Sequence, residues 1–328
     1  MPTCFIRTAL QAAAFTTLLL TSAAQAGNNY PERPITLVVG FPPGGGADAV
    51  ARIVGDQLGR NLGQPIIIEN KPGAGTTMAS SQVAKSPADG YTILLAGVSL
   101  HGSDQYLFKS ANYDAANSFT PITRLVSAPL LIGVSAKLPY QNVQDLVAAA
   151  KKAPGKMSYG HSGVGVFTHT TGLQFMTAAG IDVLAVPFRG GAQAIQAVGA
   201  GDVDMKFATP PSILPLAQAG KIRLIAVTQS ERSKLFPELP AMKESGLGSF
   251  SQDFWFGLYA PAGLSEPIKA KLFAAAQKTL QDDKVREKLE KSGNAPSASE
   301  SPEQFKTWAL AQGKLALEYV KKSGATSN

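Results

Sequence analysis

Between Ile35 and Val227, nearly every strand-like run is followed by a helix-like one, and this alternation constrains the fold more than any other feature of the chain. "ITLVVG" reads as a buried strand and "GADAVARIVGDQLGRNLG" as an amphipathic helix stopped by Gly63. Strand-like "QPIIIEN", "YTILLAG", "KMSYG", "DVLAVPF", "DVDMKFA" and "KIRLIAVTQ" then alternate with helical "GTTMASSQVAKS", "VQDLVAAAKKA", "FTHTTGLQFMTAAG", "AQAIQAVGAG" and "PPSILPLAQAG". Such spacing predicts βαβ units and parallel sheets covered on both faces. From Glu266 onward the pattern is helical only, and Ser301-Pro302-Glu303-Gln304 marks a helix start, a cap followed by a first-turn proline. About 300 residues would follow a removed leader, more than one core usually holds, so two domains are expected. No low-complexity linker separates them. Two extended crossings, near 119–134 and near 252–261, predict instead that one domain is inserted in the other, with a ligand cleft between them.

The first 26 residues read as a cleavable export signal: Arg7, the apolar run "ALQAAAFTTLLL", then Ala24-x-Ala26, with cleavage near Ala26. The apolar run is shorter than the ~20 residues of a spanning helix. The single cysteine, Cys4, lies within this segment, so the mature chain holds no thiol for a disulfide, a metal or catalysis. The formal charge of +7 comes from scattered residues, the largest basic clusters being lysine pairs, so no nucleic-acid surface is expected. Three histidines, His101, His161 and His169, have no metal-binding spacing, and neither a metal nor a cofactor is expected.

The junction "GFPPGGGADA" admits three readings. Gly44-x-Gly46-x-x-Ala49, with Glu69 ending the next strand, satisfies a loose dinucleotide fingerprint. Phe41-Pro42-Pro43 weighs against it by separating the strand from the glycines, and an exported chain would meet little nicotinamide cofactor. A phosphate loop fails because no Lys-Ser or Lys-Thr follows. A carboxylate site fits: glycines let backbone N–H groups face a ligand, and the helix start adds partial positive charge. Three further strand ends, "GVSLHGS", "SGVGVFTH" and "PFRGGAQA", are similarly rich in small residues. "GHSGVG" around Ser162 approaches a nucleophile elbow, yet Val164 replaces its second glycine and no histidine follows His169, the reverse of the hydrolase chain order. The Asp202/Asp204 pair reads as a solvated strand edge.

The motifs "YPERPITLVVGFPPGGGADAVAR", "LGQPIIIENKPGAG", "ADGYTILLAG", "VPFRGGAQAI", "PSILPLAQAGKIRLIAVT" and "WFGLYAPAG" resemble those of the substrate receptors of tripartite tricarboxylate transporters, the Bug family, from Tyr30 to the C-terminus. The resemblance implies an α/β, two-lobed periplasmic binding protein of type II-like form, with parallel or mixed sheets flanked by helices and two hinge crossings. Residues 27–126 and 253–328 would form lobe 1 and 127–252 lobe 2. It further implies a monomeric, non-enzymatic, periplasmic receptor that hands a small organic carboxylate to a cognate membrane permease. The alternative is an exported α/β enzyme, dehydrogenase-like or esterase-like. Positions matching the family's ligand loops are Phe41, Pro42, Pro43, Gly44 and Gly45; Ser99 and His101; Ser162, Gly163, Thr168 and His169; and Phe188, Arg189, Gly190 and Gly191. Where the family often has polar residues, this chain carries Val164, Val166, Phe188 and Ala208, the last replacing a frequent Asp. These changes predict a ligand with an apolar body, walled by Phe41, Phe167 and Phe188: an aromatic acid of benzoate or phthalate type, or an aliphatic acid such as a dicarboxylate.

Overall fold

A computed structural model describes residues 29–326 except 323; the expected export signal lies outside the described residues. Strand β1 (Ile35–Val39) is apolar throughout because both its faces are covered. Ile35, Leu37 and Val39 pack with Val50, Val54 and Leu58 of helix α1 (Gly46–Leu62), while Val38 packs with Ala79 and Val83 of α2 (Thr77–Ala84). Helix α1 ends where Gly63 takes a left-handed conformation, φ 80°, and donates its N–H to the Gly59 carbonyl. Strands β2 (Ile66–Asn70) and β3 (Thr92–Ala96) flank β1 in parallel.

The chain then runs through a 3₁₀ turn (Val98–His101) and the short helix α3 (Asp104–Leu107) into the long strand β4 (Phe119–Pro129). After Leu130 it enters a second sheet as β5 (Leu131–Ser135). There follow α4 (Val143–Lys152), β6 (Ser158–His161), α5 (Phe167–Ala179), β7 (Leu184–Pro187), α6 (Gly191–Ala200), β8 (Met205–Ala208), α7 (Pro210–Gln218) and β9 (Ile222–Val227). Strand β10 (Asp253–Pro261) returns to the first sheet, followed by α8 (Glu266–Gln281), α9 (Asp283–Lys291), β11 (Ala295–Pro296) and α10 (Pro302–Lys322). Ser301 caps α10, its Oγ accepting from the Gln304 N–H at 3.1 Å.

The first sheet has the order β11-β4-β10-β3-β1-β2 and the second β7-β6-β8-β5-β9. Both are mixed, not wholly parallel, because the chain leaves the first sheet on β4 and comes back on β10, which forces these neighbours to be antiparallel. In the second sheet β5, the incoming strand, is antiparallel to β8 and β9, while β6 runs parallel to β7 and β8. Thr228 ties the crossings together. Its Oγ1 accepts from the Leu130 N–H at 2.9 Å and donates to the Gln252 carbonyl at 2.6 Å, and its backbone carbonyl accepts from the Gln252 N–H at 2.9 Å. Thr228 is fully buried. Thr228→Val keeps the shape but orphans a buried donor and acceptor, so urea denaturation should register a loss of about 1–3 kcal/mol.

Candidate functional site

A cavity of about 280 Å³ lies between the two sheets, at strand ends contributed by both. From the first sheet come the loop after β1 (Phe41, Pro42, Pro43, Gly45, Gly46 and Ala47) and the turn after β3 (Gly97, Val98 and Ser99). The second sheet supplies Ser162, Val166, Phe167 and Thr168 after β6, and Gly190 to Gln193 after β7. Lys206 on β8, with Thr209 and Ser212 beyond it, forms another part of that wall. Phe254, Trp255 and Phe256 of β10 close the apolar side.

The lobes meet across this cavity. A Cβ on Gly190 would stand 3.0 Å from the Pro42 ring, and one on Gly46 would collide with the Thr209 hydroxyl. Glycine at these positions is what lets the opposing loops approach. Ser103 Oγ also donates across the interface to the Gly165 carbonyl at 2.5 Å.

The loop after β1 is held from behind by Asp48, in the first turn of α1. Its carboxylate accepts from the Gly44 N–H, Arg52 Nε and Asn70 Nδ2, each at 3.0 Å, and Asn70 Nδ2 also donates to the Phe41 carbonyl at 3.0 Å. Burial pushes the Asp48 carboxyl up, but the bonds from Arg52, Gly44 and Asn70 outweigh it and hold the group below the ordinary carboxylate range. That contribution to stability is present above the unfolded-state value and is lost as pH falls through the lowered one. Asp48→Ala is expected to cost about 1–3 kcal/mol in chemical denaturation at neutral pH and to remove this acid-side dependence.

Four helices, α1, α5, α6 and α7, begin at the cavity, and no side chain caps any of them. The first-turn N–H groups of α1, α5 and α6 make the region electropositive, whereas α7 opens on Pro210 and Pro211, which have no N–H, and its Ser212 N–H is bonded to the Thr209 carbonyl at 3.0 Å. Lys206 adds a positive charge when protonated. It is 1 % exposed, and its Nζ reaches only the Gly160 carbonyl at 3.5 Å and Ser162 Oγ at 3.4 Å, both near the limit of hydrogen bonding. Burial pushes its pKa down to about 7. Phe41, Phe167, Val98, Val166 and the β10 aromatics make the remaining surface predominantly apolar. The arrangement can enclose a small anion with an apolar body, desolvating it between helix termini and a cation.

Of the residues singled out in the sequence, Phe41, Pro42, Pro43, Gly45, Ser99, Ser162, Thr168, Gly190 and Gly191 line the cavity. Gly44, φ 78°, turns the loop behind them and gives its N–H to Asp48. His101 stands away from the cavity, its ring nitrogens bonded to the Ala115 carbonyl at 2.8 Å and the Tyr259 hydroxyl at 3.1 Å. His169 Nδ1 accepts from the Gly165 N–H at 3.1 Å, and His161 Nδ1 donates to the Gly163 carbonyl at 2.9 Å. The two rings lie 4.3 Å apart, and burial lowers them to about 4 and about 3, so both are neutral near pH 7 and shape the loop that carries Ser162. Phe188 packs beneath Gly160 and Ala208 sits in the core of the second sheet, while Arg189 is exposed and outside the cavity wall. The apolar wall is thus built by Phe41 and Phe167 with the β10 aromatics, and Phe188 has no part in it. Lys206, Thr209, Ser212, Gln193 and the Phe254–Phe256 run were not anticipated.

Two lobes with mixed sheets, a double crossing and an enclosed cleft at their strand ends define a ligand-binding protein of the periplasmic binding type. Residues 50–324 match the tripartite tricarboxylate transporter family receptor model, and the chain belongs to that family. It is 30% identical to protein BugT of Bordetella pertussis over 305 residues, covering 93% of each chain. A Rhodopseudomonas palustris structure with adipate superimposes with a TM-score of 0.87 at 32% identity, covering 91% of this chain and 99% of that one. MatC from Rhodopseudomonas palustris, with bound malate, gives 0.83 at 31%, covering 89% and 100%. Receptors of this family are periplasmic solute-binding proteins. Among the described residues, no helix is long and apolar enough to cross a membrane, and no cluster suits a metal ion.

Proposed function

We propose that this chain captures a small organic carboxylate with an aliphatic or aromatic body by closing its lobes over it. A monomer, exported by a signal cleaved near Ala26, would then deliver the acid to a tripartite tricarboxylate-type permease. The carrying observation is the convergence of three uncapped helix starts, those of α1, α5 and α6, on one largely apolar cavity. Adipate and malate in the two related structures are organic acids of the size such a cavity holds. A thermal-shift screen of the mature protein should include aromatic acids, aliphatic dicarboxylates, citrate, amino acids and NAD. A ligand at a hundred times its dissociation constant adds about 2.7 kcal/mol, which reads as a shift of a few degrees. Shifts with the aromatic or aliphatic acids support the proposal. A shift with NAD alone, or with amino acids alone, would overturn it.

One observation favours a second reading, an esterase: Ser162 Oγ lies 3.4 Å from the buried Lys206, whose lowered pKa suits a general base. A serine-directed acylating reagent distinguishes the two. The receptor reading predicts no labelling of Ser162, whereas stoichiometric labelling would favour the enzyme.

A further inference from the structure

We infer that Lys206 makes this a receptor for dianionic ligands, taking the second carboxylate of a dicarboxylate whose first carboxylate sits at the start of α1. The inference rests on the carboxylate-receptor reading above and names its substrate class.

Two groups of donors face the cavity, and they belong to different lobes. One is the uncapped start of α1, Gly45 to Ala47, against which Thr209 and the start of α7 close. The other is Lys206 Nζ, 3.4 Å from Ser162 Oγ, which in turn lies 3.5 Å from where a Cβ on Gly191 at the start of α6 would stand. Phe41, Phe167 and the aromatic run of β10 contribute the apolar lining of the same cavity. An acid with a single carboxylate satisfies one group of donors and leaves the other dry.

Lys206 cannot be explained as a structural lysine. It lies on β8, whose four residues are all buried, and among the described residues no carboxylate forms an ion pair with it. Its titratable neighbours are His161, held neutral by burial and itself against His169, also neutral, and Asp204, two residues earlier in the chain. The Asp204 carboxylate is engaged by the Ser158 N–H at 2.7 Å and the Ser158 hydroxyl at 2.9 Å. A buried ammonium without a counter-ion costs several kcal/mol. A bound carboxylate removes that cost, and burial's effect on the ligand-free lysine, a pKa of about 7, then reverses.

The test compares matched diacids and monoacids by calorimetric titration of the mature protein: adipate with hexanoate, succinate with butyrate, and phthalate with benzoate. Wild type should bind at least one diacid about 10- to 150-fold more tightly than its monoacid, the span expected of a charge-assisted hydrogen bond. In Lys206→Met that preference should vanish, with the monoacid bound as well as or better than before. Lys206→Gln, which keeps a polar terminus, should lose it too, and circular dichroism and the melting temperature of both variants show whether the fold is intact. Between pH 7 and 9 wild-type affinity for the diacid should fall, by up to about tenfold per unit, while the Lys206→Met profile stays flat. Diacid preference retained in a folded Lys206→Met, or absent from a wild type that binds monoacids, would overturn the inference and leave the receptor reading standing. No binding of any acid to wild type would overturn both.

Discussion

Replacing Gly45 by Asp should abolish carboxylate binding while leaving the protein as stable as before, or slightly more so. Gly45 is the N-cap of α1, with φ −88° and ψ 173°, a conformation any residue adopts. A Cβ there has room, since its nearest neighbour is the Pro42 carbonyl at 3.7 Å. Aspartate is a preferred N-cap residue and gains up to a few tenths of a kcal/mol over glycine. The same carboxylate faces the cavity where the ligand's own is expected. Two such charges about 4 Å apart at an effective dielectric near 20 repel by about 4 kcal/mol, roughly a thousandfold in affinity. Calorimetric titration beside a melting curve reads both effects. Loss of binding with loss of folding would indict the loop's architecture; binding retained by a folded variant would remove the start of α1 from the site.

Lys206→Met should instead stabilise the ligand-free protein at pH 7, by several kcal/mol, the order of the desolvation penalty of a buried ion without a partner. Folding lowers the lysine from its ordinary value of 10.5 to about 7. The unfolded chain therefore binds more protons between those values, and stability rises with pH across that window. Below pH 7 the full penalty is present; toward pH 10 it fades. Urea denaturation of wild type between pH 7 and 10 should show this rise, and the Met variant should lack it. A Met variant less stable than wild type at pH 7 would mean that Lys206 is already neutralised by a partner inside the fold.

Much of this architecture was legible in the sequence because it follows from local chemistry. Continuous apolar runs such as Ile35–Val39 mark strands buried on both faces, and Gly63 and Ser301 announce helix ends. The loop after β1 could be placed because proline and glycine have few uses between a strand and a helix. What escaped was side-chain direction and long-range convergence. Phe188 and Arg189 flank Gly190 closely, yet Phe188 turns under Gly160 and Arg189 turns to solvent. The aromatic wall comes from β10, brought to the site by antiparallel pairing with β3 and β4. Lys206 did leave a signal. A lysine between Met205 and Phe207 interrupts an otherwise apolar stretch, which an exposed edge would tolerate but an interior strand would not. With β8 between β6 and β5, the interior placement is the real one.

The central claim, stoichiometric capture of an unaltered organic acid, meets its most direct test in one titration. The acid giving the largest thermal shift would be titrated calorimetrically into the mature protein, and the bound fraction recovered after denaturation and identified by mass spectrometry. One acid per chain should be recovered, chemically unchanged, with Trp255 in the cavity wall reporting saturation at the same ratio. No saturable binding of any carboxylate, or recovery of a transformed product, would contradict it.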